Sequence, residues 1–391
     1  MRLLRILPTH RLILLIAVVL ALAAAGAAIA VAAGGGGPTP PAKPLDQAIH
    51  DALSSTAPGG ITARVKFTNT LFPSGALLGN VGSALMSGAS GRLWVTNDGR
   101  GRIELQSDAG DVQIVWNATT VSVYDASSNT VYRAKLPSHT GDSATSADRG
   151  APPALSAIDD LLNRLGDRAT ISAAQPDNVA GQPAYSVTVS PKHDGGLLAS
   201  AQLAWDAAHG VPLRIAIYAQ GSSSPALALE ATDISYGPVS ASDVDISPPA
   251  DAKVVELSAP TNGSSAGDHG APVTGLAGVQ AAADFPVVAP DTLVGLPRKD
   301  VRLVGGTDSR AALVIYGQGL GAILVVERKA DTAQNGSALS SLPAVSLDGV
   351  TAHELATQLG TLIEWRSGGT AYVLAGSLPP AAAEAAARQL K

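Results

Sequence analysis

The sequence predicts an α+β chain: two antiparallel-sheet domains with covering helices, preceded by one transmembrane helix. Three observations carry this. Residues 91–136 hold a run of short segments with period-two apolar patterning, joined by tight turns. A leucine-striped helical segment at residues 152–165 follows, and then a second series of strands. An uncharged apolar run at residues 12–33 precedes both, and a Gly/Ser/Pro/Ala-rich stretch after residue 257 sets off a smaller C-terminal group. Alternating strands with local turns make antiparallel meanders that are apolar on one face.

The N-terminus gives an address. Arg2, Arg5 and Arg11 precede the uncharged run. At about 1.5 Å per residue the run covers roughly 33 Å, enough for a bilayer's hydrocarbon core. Cationic residues before it place residues 1–11 in the cytoplasm as a tail, with residues 12–33 as a single-pass anchor and the body outside the cell membrane. The competing reading is a signal peptide cleaved near Ala30-Val-Ala32, which gives a secreted body. Both readings export the rest. Residues 34–43, rich in Gly and Pro, read as a flexible tether.

The exported part divides into residues 44–256, a linker at 257–278, and a small α+β domain at 279–391. Residues 44–53 form a short helix, with Leu45, Ile49 and Leu53 four apart on one face. Residues 61–67 are the first strand candidate. Residues 71–90 have no clean period and read as a wide loop or broken helix. In the meander, Asn97-Asp-Gly99 and Ser107-Asp-Ala-Gly110 supply the backbone that tight turns need. Leu155, Ile158, Leu161, Leu162 and Leu165 make an i, i+3, i+4, i+7 stripe, and this helix is expected to cover the apolar face of the sheet. Tyr185/Val187/Val189, Leu203/Trp205, Leu213/Ile215/Ile217, Leu227/Leu229 and Ile234/Tyr236 continue the sheet. In the small domain, residues 311–316 and 322–326 make a hairpin across Gly317-Gln-Gly-Leu-Gly321. Strands follow around Leu347, at 362–365 and at 371–374, and a helix at 380–390 ends the chain.

Composition excludes several function classes. The 391 residues carry a net charge of −6 and no basic patch, so nucleic acid is not an expected partner. The absence of cysteine removes disulfides, thiolate metal sites and Cys nucleophiles. No histidine pair has zinc-ligand spacing, and no Gly-x-Ser-x-Gly elbow occurs. The glycines of residues 317–321 join two strands and are a hairpin turn, not a dinucleotide loop. No cofactor or metal is expected, and the chain reads as non-enzymatic.

Specific phrases resemble a known family. Val121-Ser-Val-Tyr-Asp125 stands before Asn129-Thr-Val-Tyr132, and Pro183-Ala-Tyr185 leads a strand. Leu203-Ala-Trp-Asp206 with Gly210-Val-Pro-Leu-Arg214 matches a "strand, Asp, turn, Gly-x-Pro-x-Arg, strand" hairpin. Together they resemble the LolA-like lipoprotein-carrier fold. That resemblance implies an unclosed antiparallel half-barrel at residues 44–256, with helices plugging its concave apolar face. Residues 313–327 and 369–380, ahead of a final helix, resemble the C-terminal domain of the MucB/RseB sigma-factor regulators.

What the resemblance implies is a groove for a lipid, an acyl chain or a lipoprotein. The inward candidates are Trp94, Leu105, Ile114, Trp116, Val123 and Trp205, with Leu155, Ile158 and Leu162 as a lid. Ordinary core packing is the alternative for each. The alternative function is a regulator whose small domain, around Trp365 and Tyr372, holds a membrane-bound anti-sigma factor.

Overall fold

The computed structural model describes residues 37–71, 84–136, 154–193, 195–257, 273–305, 310–330 and 342–390. The expected span at residues 12–33 lies outside them, as do most of the 71–90 stretch and part of the 257–278 linker. Among the described residues no helix is long and apolar enough to cross a membrane.

The first domain opens with helix α1 (Leu45–Ser54), strand β1 (Gly60–Asn69) and a single helical turn, α2 (Ala84–Ser87). The meander follows as β2 (Ala89–Thr96), β3 (Gly101–Ser107), β4 (Gly110–Trp116), β5 (Thr120–Asp125) and β6 (Thr130–Lys135). Helix α3 (Leu155–Gly166) leads to β7 (Ala169–Ile171), β8 (Gln175–Val179), β9 (Gln182–Pro191), β10 (Leu198–Asp206), β11 (Pro212–Ala219) and β12 (Pro225–Tyr236). A short helix, α4 (Ala241–Val244), and strand β13 (Lys253–Leu257) finish it. These strands form one 13-stranded sheet in the order β13-β6-β5-β4-β3-β2-β1-β12-β11-β10-β9-β7, with β8 also on β9. All pairs are antiparallel except β13 on β6. The first strand therefore sits in the middle, joining the two meanders through β2 on one side and β12 on the other.

Turn chemistry explains the local path. Gly99 takes φ +83° in the β2–β3 turn, a left-handed backbone that side chains disfavour. The buried Asp206 carboxylate caps the β10–β11 turn by accepting the backbone N–H groups of Ala208 and His209, at 2.8 and 2.7 Å. It also accepts the Tyr236 hydroxyl at 2.8 Å, and this bond together with burial raises the tyrosine's pKa. Arg214, from the same hairpin motif, is buried on a network of Asp177 at 3.4 Å and Glu230 at 2.9 Å.

The small domain contains α5 (Leu276–Ala282), β14 (Thr292–Leu293), β15 (Leu296–Val304), β16 (Ala311–Tyr316), β17 (Ile323–Lys329), β18 (Ala344–Leu347), β19 (Val350–Thr357), β20 (Gly360–Ser367), β21 (Thr370–Gly376) and α6 (Pro380–Arg388). Its eight strands form one sheet, β14-β15-β16-β17-β21-β20-β19-β18. Ala383, Ala386 and Ala387 on α6, and Leu390 just past its end, lie at i, i+3, i+4 and i+7 and pack on one face of that sheet. Val273 and Leu276, from the stretch expected to be a linker, also pack against this core. The two domains touch at a strand-turn contact. Ser377 Oγ donates to Leu359 O and accepts the Leu197 N–H, and Gln358 donates to Thr70 O at 2.9 Å.

Candidate functional site

Residues directly opposite one another in a ladder share a face, so the register traces the inner wall across the whole first sheet. Val123 lies opposite Ile114, which lies opposite Ile103. Leu105 lies opposite Gly91, Gly91 opposite Val65, and Val65 opposite Ala231. Further along, Phe67 meets Leu229, Leu229 meets Ile215, and Ile215 meets Leu203. Trp205 is two residues from Leu203 and hence on the same face. Leu105, Ile114, Trp116, Val123 and Trp205, five of the six inward candidates, thus share one wall.

Trp94 does not. It lies opposite Arg102 on the outer face, with the guanidinium 5.0 Å from its ring centre, while its neighbours Leu93 and Val95 point into the core. Gly91 and Gly101 occupy the inward positions on β2 and β3. They leave no apolar side chain there to reveal the alternation, and three successive apolar residues at 93–95 hide its phase. Trp116 is also a poor groove residue, being only 7% exposed. Its indole N–H donates to Gly99 O at 3.1 Å, and its ring lies against Gly101, where a Cβ would sit 2.1 Å from the ring. It is core.

The sheet is concave. Register shifts interrupt β1 against β12, β10 against β11, and β11 against β12. Such bulges bend a sheet and increase its twist. The result is an apolar cavity lined from five successive strands, β11, β12, β1, β2 and β3. A flat sheet encloses no such space. Ile61, Leu93, Val95, Val211 and Leu229 are its half-buried lining, and Ala63, Val65, Ile103 and Ile234 are buried beneath them. The space including its open mouth and the solvent there is about 660 Å³. Only about 90 Å³ is wide enough for water, less than the ~150 Å³ cavity that binds benzene. In this state the wall is largely closed on its own side chains.

The cavity lies over β1 and its neighbours, and none of the six inward candidates lines it. Period-two patterning at residues 61–67 and 227–234 was its visible signal. It became a site only through the β1–β12 pairing, which joins residues about 170 apart.

The covering helices differ from expectation. The turn α2 seals one end of the wall with Ala84 and Leu85, both fully buried. Asn69 holds it there, donating to Leu85 O at 2.7 Å and accepting the Leu71 N–H at 3.0 Å. Helix α1 covers the β9–β10 end, with Ala48 packed on Tyr185, Val187, Leu203 and Trp205. Helix α3 does not cover the wall. It rests on α1 and the edge strand β7. Of the expected lid only Ile158 is buried; Leu162 is half-buried and Leu155 is exposed. The wall already has α1 above that end, so α3 is displaced to the side.

Trp365 and Tyr372 are not a surface either. They stack at 4.9 Å and 4° in the small domain's core, 2% and 3% exposed. The other face of that sheet is mostly aliphatic and partly open, with Arg302 and the buried Glu364 among its side chains. Leu313, Ile315, Leu324, Val326, Val373 and Leu362 face outward by register, and Leu324 is 38% exposed. Among the described residues no cluster of His, Asp and Glu is arranged to hold a metal ion.

No protein-family model matches the chain, and no curated protein matches it. Among solved structures it is similar to MucB in complex with MucA(peri), at 14% identity, covering 89% of this chain and 96% of that one, with a TM-score of 0.40. It is similar to the MucA/MucB complex of Pseudomonas aeruginosa at 15% identity, covering 88% of this chain and 95% of that one, with a TM-score of 0.40. A LolA superfamily protein from Nitrosomonas europaea matches at 7% identity, covering 52% of this chain and 98% of that one, with a TM-score of 0.23. The resemblance to LolA-like and MucB proteins read from the hairpin motifs is thus met again among solved structures.

Proposed function

We propose that this chain is a non-catalytic, exported and membrane-anchored binding module whose concave wall takes an acyl chain of a lipid or lipoprotein. The observation that carries this reading is the apolar cavity across β11, β12, β1, β2 and β3, open at a mouth rimmed by half-buried aliphatic side chains. Concave, mostly apolar sites suit such ligands. The narrow interior means that Leu93, Val95 and Leu229 must part when a chain enters. A larger depression beside Lys66, Asn69, Gln106 and Asp108 is polar-lined and wide open, and does not suit an acyl chain. The test is titration with a fluorescent fatty acid. Wild type saturates one site, and Leu93→Glu, with unchanged circular dichroism, weakens binding about tenfold or more, since burying a carboxylate beside a chain costs well over 1.4 kcal/mol. Equal affinity in the two proteins refutes the site.

A second reading is favoured by the mostly aliphatic, partly open face of the small domain. There the chain holds a protein partner, such as the extracytoplasmic part of a membrane-bound anti-sigma factor. Exposed apolar sheet faces of this kind mark protein contacts. Leu324→Asp then abolishes co-purification of a stoichiometric membrane protein while fatty-acid binding persists. If Leu324→Asp retains that protein, this face is not its seat.

A further inference from the structure

Four large exposed apolar residues fall on two packed helices. Leu53 of α1 is 53% exposed, and Leu155, Leu161 and Leu165 of α3 are 42%, 49% and 42% exposed. On α3 the three lie on the same side as the buried Ile158, and the opposite side carries Ser156, Asp160 and Arg164. A stripe that would normally be buried is therefore only partly used by its contacts with α1 and β7.

The chain entering this region is short and fixed. Pro38 O accepts from Asn178 Nδ2 at 2.8 Å, and Pro41 O accepts the Tyr185 hydroxyl at 2.5 Å. Lys43 pairs with Asp51 at 2.5 Å. The residues expected to be a loose tether are thus docked along β8 and β9 from residue 38 onward. The strand β7, on which α3 rests, pairs with the same β9. The docked tether lies by Asn178 and Tyr185 and α3 by the Val189–Pro191 end, so both run along the same edge of the sheet.

Residues 12–33 are read as the membrane span, so only residues 34–36 separate its end from Gly37. Four steps of extended chain cover at most about 15 Å. On that reading this edge of the sheet is held near the bilayer surface, and α1, which follows the tether, packs against α3. We propose that the leucine face of α3, together with Leu53, rests in the interfacial layer of the membrane that residues 12–33 cross. This docking rests on the anchor reading.

The charges around α3 refine the partner. Asp159, Asp160 and Asp167 are balanced by Arg164, Arg168 and Lys192, all exposed. Neutral balance gives no pull toward anionic lipid, so the contact depends on apolar area. A docked helix with this composition positions the concave wall close to the lipid from which an acyl chain is taken. It also explains why α3 is not needed as a lid.

The absence of cysteine makes the test direct. Leu161→Cys, Leu165→Cys and Asp160→Cys are made singly in the full chain, nitroxide-labelled, and reconstituted in phosphatidylcholine vesicles with and without phosphatidylglycerol. Electron paramagnetic resonance then compares relaxation by oxygen, which concentrates in lipid, with relaxation by a water-soluble nickel complex. The oxygen-to-nickel ratio at 161 and 165 is expected to exceed that at 160 by about threefold or more, as for a helix lying in the interface, and to be independent of phosphatidylglycerol. Carbonate extraction of the same vesicles separates the outcomes. A chain retained in the membrane with 161 and 165 as nickel-accessible as 160 refutes the docking alone. Low access to both relaxants at 161 and 165 also refutes it, because protein then covers the face. A chain released by carbonate refutes the anchor, and the docking with it.

Discussion

Replacing Glu327 by Gln should make the small domain more stable above neutral pH and leave it unchanged in acid. Glu327 is fully buried on β17. Its Oε2 accepts the Val288 N–H at 2.8 Å, and its Oε1 has no hydrogen-bond partner. Burial pushes the carboxyl up from 4.5 to about 7, and the bond from Val288 offsets only part of this. Between those pH values the folded chain holds a proton that the unfolded chain has lost. Stability therefore falls as pH rises through that window, and the whole penalty is present above pH 7. A displacement from 4.5 to about 7 corresponds to roughly 3 kcal/mol. Gln keeps an acceptor for Val288 and cannot ionise. Urea unfolding followed by tryptophan emission, with Trp365 stacked on Tyr372 as the local reporter, should show the variant stabilised by about 3 kcal/mol at pH 8 and by almost nothing at pH 4.5. An equal effect at both pH values would show that the change acts through packing and not through the buried charge.

Two further substitutions probe the wall and its seal. Gly101→Ala places a methyl group 2.1 Å from the Trp116 ring. Forced overpacking of this kind costs about 1–3 kcal/mol, and the urea midpoint should fall accordingly with a red shift in tryptophan emission. Asn69→Ala removes two buried hydrogen bonds, the one donated to Leu85 O and the one accepted from the Leu71 N–H. About 2 kcal/mol or more should be lost, with amide exchange accelerated first at Leu71 and in α2.

Much of this fold was legible because its signals are local. Four strands of the meander, β2 to β5, the hairpin capped by Asp206, the β16–β17 hairpin and the helices α1, α3 and α6 all announce themselves through periodicity or turn residues. The strands that were missed lack such signals. The strand β7 has three residues. The strand β8 reads Gln-Pro-Asp-Asn-Val, and its Asp177 is buried only because Arg214 arrives from β11. The apolar pattern of β15, flanked on one side only by the two-residue β14, is interrupted by Arg298, Lys299, Asp300 and Arg302. The strand β13 joins β6 in parallel from about 120 residues away.

The site was less legible than the fold. Scarce aromatic residues drew attention to Trp116, Trp365 and Tyr372, which the structure uses as packing. The cavity is lined by common aliphatic residues such as Ile61, Leu93 and Val95, whose individual sequence signals match those of any core strand. Only the bulged pairing of β1 with β12 turns them into a concavity.

The most direct measurement is native mass spectrometry of the full chain after mild detergent extraction, compared with Leu93→Glu. One bound lipid is expected per wild-type chain, and none on a variant that unfolds at the same temperature. Lipid retained equally on both proteins, or a wild-type chain that never carries any, contradicts the acyl-chain site.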